Sequence, residues 1–311
     1  MQQKNARLRP FSQQDIPALV EVINTANAHY GDRDTVTTED IAALVASPYV
    51  VAEEDFLIAE GDGGAVVGGG VFAFNPTNGQ AFGLARVLPS YERLGLGTRL
   101  VMQTDAAFLR RAQQHIAPEL QPIMSRKTAG TCDGAQVLLG KAGYVRQYVQ
   151  YTMRCDFEAL PLPVALPAPF TLRPFDIERD SRAVYEVFKE TFAQHRMQVA
   201  QMPYERWLEQ LQTPLFTPDL FFVAYDDETI AGINLCFYSA DYPHLGWVEM
   251  LGVRQPYRHQ GLGTALLKHA FHVFALRGLE GAALDVDGED ETTVAFYERA
   301  GMRIVQHAVL Y

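Results

Sequence analysis

Six residues in the last quarter of the chain have the types and spacing for a definite chemistry: Arg258-His259-Gln260-Gly261-Leu262-Gly263. An apolar run from Trp247 to Val253 leads into them through a proline-containing turn, and an apolar-periodic helix starts at Leu262. The first N–H groups of a helix have no intrahelical partner, and glycines there remove the side chains that would hold a ligand away. The positive end of the helix dipole then favours an anion, a phosphate above all, and Arg258 adds a fixed positive charge. Two familiar phosphate loops do not fit. A nucleotide P-loop needs Lys and then Ser or Thr after its last glycine, where Thr264-Ala265 stands, and the dinucleotide fingerprint needs a third glycine where Leu266 stands. The bland alternative is a tight turn whose two glycines serve packing alone.

The elements around this loop must come from a chain of 311 residues, long enough for two domains that each bury a core. Hydrophobic residues make up 48% and charged residues 20%, the balance of a soluble globular protein. A net charge of −11 without any basic tract argues against a nucleic-acid partner and weakly favours a cationic one. Cys132, Cys155 and Cys236 are odd in number and far apart, so they read as reduced thiols and not as a metal site or a disulfide framework. No apolar signal segment follows Met1, and no run of about 18 apolar residues occurs. The expectation is a cytoplasmic protein with no membrane partner and no metal, its oligomeric state left open.

Pattern along the chain predicts a first strand over 6–11, then a helix over about 12–28 opened by a capping box at Ser12-Gln13-Gln14-Asp15. A second helix over 39–46 is expected behind a Thr38 cap. Strands over 56–60 and 65–74 flank the Asp62-Gly63-Gly64 turn, and another over 81–88 leads to Gly95-Leu96-Gly97-Thr98 and a helix to about 116. A short strand, a helix over 133–141 and a strand over 144–156 complete the half. Four prolines within 160–169 then mark a boundary, either as a stiff extended linker or as a segment packed across a domain face.

Beyond the prolines the pattern restarts. Leu172-Arg173-Pro174-Phe175 repeats Leu8-Arg9-Pro10-Phe11, Gly261-Leu262-Gly263-Thr264 repeats Gly95-Leu96-Gly97-Thr98, and Ala300-Gly301 repeats Ala142-Gly143, in one order and at nearly one spacing. The chain is a duplication, with expected domains over 1–158 and 170–311 and a linker over 159–169. Helices over 181–194, 204–212, 262–276 and 291–300, and strands over 170–175, 220–225, 229–238, 247–253, 282–286 and 303–310, are predicted for the second copy.

Arg258-His259-Gln260-Gly261-Leu262-Gly263, between its strand and its helix, resembles the acetyl-CoA pyrophosphate loop of the GNAT acetyltransferases, and the duplication resembles the tandem members of that family. The resemblance implies an α/β fold of two tandem units. Each would be a mostly antiparallel mixed sheet, splayed between its fourth and fifth strands and flanked by helices. It implies an N-acetyltransferase that moves an acetyl group from acetyl-CoA to a primary amine of a small molecule. The mycothiol synthases share the two-copy layout, which implies the amine of a sugar-based thiol precursor as another acceptor. A catalytically silent CoA-binding or regulatory module is the competing class.

Carried over residue by residue, the resemblance makes Tyr297 the acid that protonates the departing thiolate and Glu249 the base, acting through water. The Val294-Ala295-Phe296-Tyr297-Glu298-Arg299-Ala300-Gly301-Met302 stretch matches the family's ending apart from Met302 in place of Phe. Each has a plainer reading, Tyr297 as a core aromatic and Glu249 as a surface carboxylate. The cofactor-binding set is Leu251, Gly252, Val253, Arg258, His259, Gln260, Gly261, Leu262, Gly263, Thr264 and Asp290. The backbone of Leu251 and Val253 would pair with the pantetheine, Asp290 stands where the family often has a contacting asparagine, and His259 also reads as a plain loop residue. Tyr204, Trp207, Tyr238 and Tyr242 are candidates to line the acceptor pocket, or ordinary core and rim aromatics. The first copy has Glu92 for Arg258, Gly83 for Glu249 and Leu139 for Tyr297. It is expected to be structural, substrate-shaping, or at most CoA-binding.

Overall fold

The computed structural model describes residues 5–32, 35–193, 202–211, 216–239 and 242–311. In chain order the elements of the first half are β1 (Ala6–Pro10), α1 (Ile16–His29), α2 (Thr38–Val45), α3 (Ala52–Asp55), β2 (Phe56–Gly61), β3 (Val66–Asn75), β4 (Gln80–Val87), α4 (Leu96–His115), β5 (Ile123–Ala129), α5 (Asp133–Lys141) and β6 (Tyr148–Asp156). The second half continues with β7 (Thr171–Pro174), α6 (Ile177–Thr191), α7 (Tyr204–Gln210), β8 (Phe221–Asp226), β9 (Thr229–Tyr238), β10 (Leu245–Val253), α8 (Leu262–Leu276), β11 (Gly281–Asp287), α9 (Glu291–Arg299) and β12 (Arg303–Leu310). The expected helix ends at Gln194 and Gln212 lie outside the described residues.

Contacts group the chain into two units, Met1–Gln150 with Gln306–Tyr311, and Tyr151–Val305. In the first unit β1 to β4 are antiparallel neighbours, β5 joins β4 in parallel, and the end of β12 lies antiparallel to β5, Ala308 opposite Ala129. The second unit repeats the scheme, with β7 to β10 antiparallel, β11 parallel to β10, and β6 beside β11. These units differ from boundaries drawn by counting along the repeat. Gln306–Tyr311 belong with the first unit and Tyr151–Asp156 with the second, so the sixth strand of each sheet comes from the other sequence copy.

Strand alternation sets two core faces in each unit. In the first, Leu19 and Ile23 of α1 pack with Phe56, Ile58 and Val71, while Phe108 of α4 meets Phe72 and Phe74 on the opposite face. In the second, Val184 and Phe188 of α6 pack with Trp207, Val223 and Ile233, and Leu266, Ala270 and Phe274 of α8 pack with Phe222, Ala224 and Cys236. Successive strand residues point to opposite faces, which is why adjacent Phe221 and Phe222 enter different clusters.

Local chemistry corrects several expected details. Thr37, not Thr38, caps α2, accepting from Asp40 N at 3.2 Å in a capping box. The short α3 was hidden in an acidic run. Its Asp55, fully buried, accepts from Val51 N at 2.7 Å and pairs with Arg111 of α4. Residues 144–147 precede β6 and are not strand. The proline-rich segment carries no regular element, yet Leu166 packs on the second unit's core and Pro161 O meets His272 Nδ1 at 2.7 Å. Among the described residues no helix is long and apolar enough to cross a membrane.

Candidate active site

The glycine loop of the second unit forms the N-terminal cap of α8. Gly261 is left-handed, φ +82°, and a side chain there would be strained although nothing lies within 4 Å. His259 is also left-handed, φ +62°, so residues around Gln260 alternate in hand and turn backbone N–H groups toward one side, an arrangement suited to anions. Gly263 has a different duty. A Cβ there would sit 3.5 Å from Val253 and 3.7 Å from Phe296, ordinary contacts, so packing does not demand glycine. It lies with Leu262 and Thr264 in the first turn of α8. Arg258 is anchored, with Nε donating to Val253 O at 2.9 Å, and Gln260 Nε2 donates to Pro256 O at 3.1 Å.

The strand entering this loop is open on one edge. β10 pairs with β11 only from Leu245–Trp247 against Gly281–Ala283, whereas its ladder with β9 runs on to Val253. Leu251, Gly252 and Val253 therefore lie beyond the point where the fourth and fifth strands part. An extended chain inserted there could take backbone hydrogen bonds as an added strand. Gly252 is required by the neighbouring helix, because a Cβ would fall 2.5 Å from Thr191 Oγ1 of α6.

Glu249 occupies a β-bulge. Val248 is opposite Cys236 and Met250 opposite Leu235, which leaves Glu249 as the extra residue. Bulges re-aim a side chain and recur beside active sites. Its Oε2 accepts from Trp247 Nε1 at 2.8 Å. The residue is exposed, although protein atoms crowd around its carboxylate. Desolvation there pushes it above the ordinary carboxylate range, the Trp247 donor opposes this, and Asp285 adds to the rise.

Tyr297, on the inward face of α9, is 8% exposed and belongs to the core cluster around α8. Burial first, then Cys236 and Asp290, push its hydroxyl far up, so it stays protonated at neutral pH. Its oxygen is not among the fully buried side-chain atoms left without a partner. Asp290 has a structural occupation as the N-cap of α9, accepting from Thr293 N at 3.0 Å and Thr293 Oγ1 at 2.7 Å. The acceptor-pocket candidates separate: Trp207 is 1% exposed and wholly core, Tyr204 bonds Ser181 at 2.8 Å, Tyr238 accepts from Arg277 at 3.1 Å, and Tyr242 is half-buried.

The first unit keeps the backbone and changes the chemistry. Arg93 and Gly95 repeat the left-handed pair at φ +60° and +73°. Glu92 does not turn to solvent: it accepts from Tyr30 Oη at 2.7 Å beside a cavity of about 310 Å³ lined by the Gly95-Leu96-Gly97-Thr98 turn. The bulge is missing, since Gly83 pairs with Phe72 in an unbroken β3–β4 ladder. Neither the bulge nor this cavity was legible in the residue pattern; a shift in hydrophobic alternation around Glu249 is the only signal that points to the former.

Residues 182–302 match the family described as Acetyltransferase (GNAT). A protein of Kytococcus sedentarius named mycothiol acetyltransferase is 30% identical over 229 residues, 71% of this chain and 72% of the relative. Among solved structures, a GCN5-related N-acetyltransferase from Sphaerobacter thermophilus superposes with a TM-score of 0.82 at 25% identity, over 98% of this chain and 94% of that one. A tandem GNAT protein from the clavulanic acid biosynthesis pathway shares the fold, with a TM-score of 0.67 at 17% identity over 98% and 97% of the two chains.

Proposed function

Because this chain belongs to the GNAT acetyltransferase family, we propose that its second unit carries out the family reaction, moving an acetyl group from acetyl-CoA to a primary amine of a small molecule. The residues present suit that donor. A side-chain-free helix N-terminus at Gly261 and Gly263 can receive the pyrophosphate, with Arg258, His259, Gln260, Leu262 and Thr264 framing it, and the open edge at Leu251–Val253 can receive the pantetheine arm. Asp290 is held by its capping bonds and is proposed only to border the site.

Acetyl-CoA supplies an activated acyl carbon as a thioester. The chain's residues move the protons. Glu249, with a carboxyl shifted toward neutrality, accepts a proton from the attacking amine through water, so that the nitrogen lone pair can form the new C–N bond. Tyr297, kept protonated, gives its proton to the sulfur as the C–S bond breaks. The observation that carries this reading is the bulge at Glu249, on the strand feeding the intact loop and absent where the loop has lost its arginine. The first unit is proposed to be non-catalytic, with the linker and domains as drawn from the sequence apart from the sixth strands.

The similarity to the Kytococcus protein favours one acceptor class, the amine of a sugar-based thiol precursor. Release of CoA measured against a panel of amines, an amine-bearing sugar thiol among them, tests the reading. Turnover with any of them, lost in Glu249→Gln, is the expected result. Acetyl-CoA binding without turnover on any amine would leave a silent binding module.

A further inference from the structure

The base of the proposed reaction sits on backbone that the sheet holds weakly. Trp247 is opposite Phe237 of β9 and Ala283 of β11, and it is the last residue of β10 paired to both neighbours. Glu249 follows two residues later as the unpaired residue of the bulge, and it is exposed. A glutamate so placed has three side-chain torsions to populate, and fixing them costs rotamer freedom. Trp247 supplies the constraint. Its half-buried indole starts from backbone paired on both sides, and Nε1 donates to Glu249 Oε2 at 2.8 Å.

The donor also sorts the two carboxylate oxygens. An indole N–H donates and never accepts, so Oε2 must offer it a lone pair. In a protonated carboxyl the oxygen without the proton is the better acceptor, so the bond is kept with least loss when the proton sits on Oε1. The first unit ties the two residues together. At the offset that matches Glu249 with Gly83, Trp247 matches Ala81, and the β3–β4 ladder there is unbroken. Indole, bulge and carboxylate are present together in one unit and absent together in the other. Among the described residues, the titratable groups around Glu249 are Asp285 of β11 and Cys236 of β9. Asp285, which accepts from Thr152 Oγ1 at 2.6 Å, raises the proton affinity of Glu249, and burial keeps the Cys236 thiol protonated.

We propose that Trp247 is a positioning residue for the base: it fixes Glu249 Oε2 and leaves Oε1 as the atom that receives the proton. The inference rests on the reading of Glu249 as the base. An N–H bond of the amine breaks and leaves its electron pair on nitrogen for the new C–N bond. Water relays the proton, and an O–H bond forms at Oε1.

The test has two arms. In the full chain labelled at the indole nitrogens, Trp207 and Trp247 give the two indole N–H signals in NMR. One of them should titrate with a midpoint above the ordinary carboxylate range and stop titrating in Glu249→Gln. That signal should stay protected from exchange with water below the midpoint, because the bond to Oε2 persists. In the second arm, Trp247→Phe removes the donor. Loss of a hydrogen bond to the ionised form should move the acid limb of kcat/KM up by about one pH unit, and kcat should fall about tenfold with KM for acetyl-CoA unchanged. A tryptophan that only packs would leave the acid limb where it is. Should Trp247→Phe fail to fold, the indole titration decides by itself, since it uses wild type and Glu249→Gln. No indole titration, a titration that survives in Glu249→Gln, exchange protection lost at the midpoint, or an unmoved acid limb in folded Trp247→Phe overturns the proposal. The indole arm needs no turnover, so it separates failure of this inference from failure of the acetyl-transfer reading.

Discussion

Two side chains divide the proton work of the proposed reaction, and their surroundings push them in the same direction with opposite consequences. Burial keeps Tyr297 protonated, as an acid must be, and desolvation by the surrounding protein raises the exposed Glu249 above the ordinary carboxylate range, the direction a base needs. Tyr297→Phe removes only the hydroxyl, so stability and acetyl-CoA binding should survive while kcat falls about 10² to 10⁴-fold in steady-state assays. A core tyrosine would instead give a small stability loss and near-normal rates, and retention of more than about a third of wild-type kcat would return the acid role to water. For Glu249, the acid limb of the kcat/KM profile should lie above the ordinary carboxylate range and vanish in Glu249→Gln. The sign for stability is the reverse. A carboxyl whose folded pKa is raised binds its proton more tightly in the folded state. Its contribution is full below the unfolded value and is lost as pH rises through the folded one.

At the scale of elements, the loop before α8 shows two glycines with separable duties. Gly261→Asp puts a side chain into left-handed backbone and a negative charge at the anion site, and it should abolish acetyl-CoA binding by calorimetry. Gly263→Ala meets only ordinary contacts, so its melting temperature should match wild type while affinity for acetyl-CoA falls; unchanged affinity would mean that no ligand approaches there. A different element depends on a buried charge pair. Asp55, at the end of α3, is the carboxylate partner of Arg111 on α4. Asp55→Ala leaves a guanidinium that is 8% exposed without its counter-charge, and denaturant unfolding should show a loss of about 3–5 kcal/mol. Exposed pairs such as Arg173–Glu228 should cost less than about 1 kcal/mol on the same change.

For the whole molecule, duplication has preserved a backbone and let its chemistry diverge. Both loops keep the left-handed pair and both sheets part between the fourth and fifth strands. Only the second unit keeps the arginine, the bulged glutamate and the tyrosine. Calorimetry with acetyl-CoA should therefore show one tight site per chain. Two equal sites would mean that the Tyr30–Glu92 bond opens and that the first unit accepts pyrophosphate.

The sequence by itself determined the duplication, the element order and the glycine loop that opens α8. These rest on signals local in the chain: apolar periods for α1, α4 and α8, glycines at fixed offsets, and the Leu-Arg-Pro-Phe pair. Through the resemblance to the family's motifs it also nominated Tyr297 and Glu249 as acid and base. Caps shifted by one residue, as at Thr37, because neighbouring threonines offer the same hydroxyl and only backbone geometry selects between them. What the tertiary structure alone decided depends on partners distant along the chain. A bulge exists only relative to β9, so Glu249 could be numbered but not aimed. The sixth strands go to the opposite units because sheet pairing follows hydrogen bonding across about 130 to 180 residues and not repeat counting. Arg126 reads in sequence as one cation among many. Its orphaned nitrogen appears only when Gly83, Thr104, Asp105 and Tyr144 close around it, since burial and hydrogen-bond satisfaction are properties of a packed neighbourhood and not of a residue type.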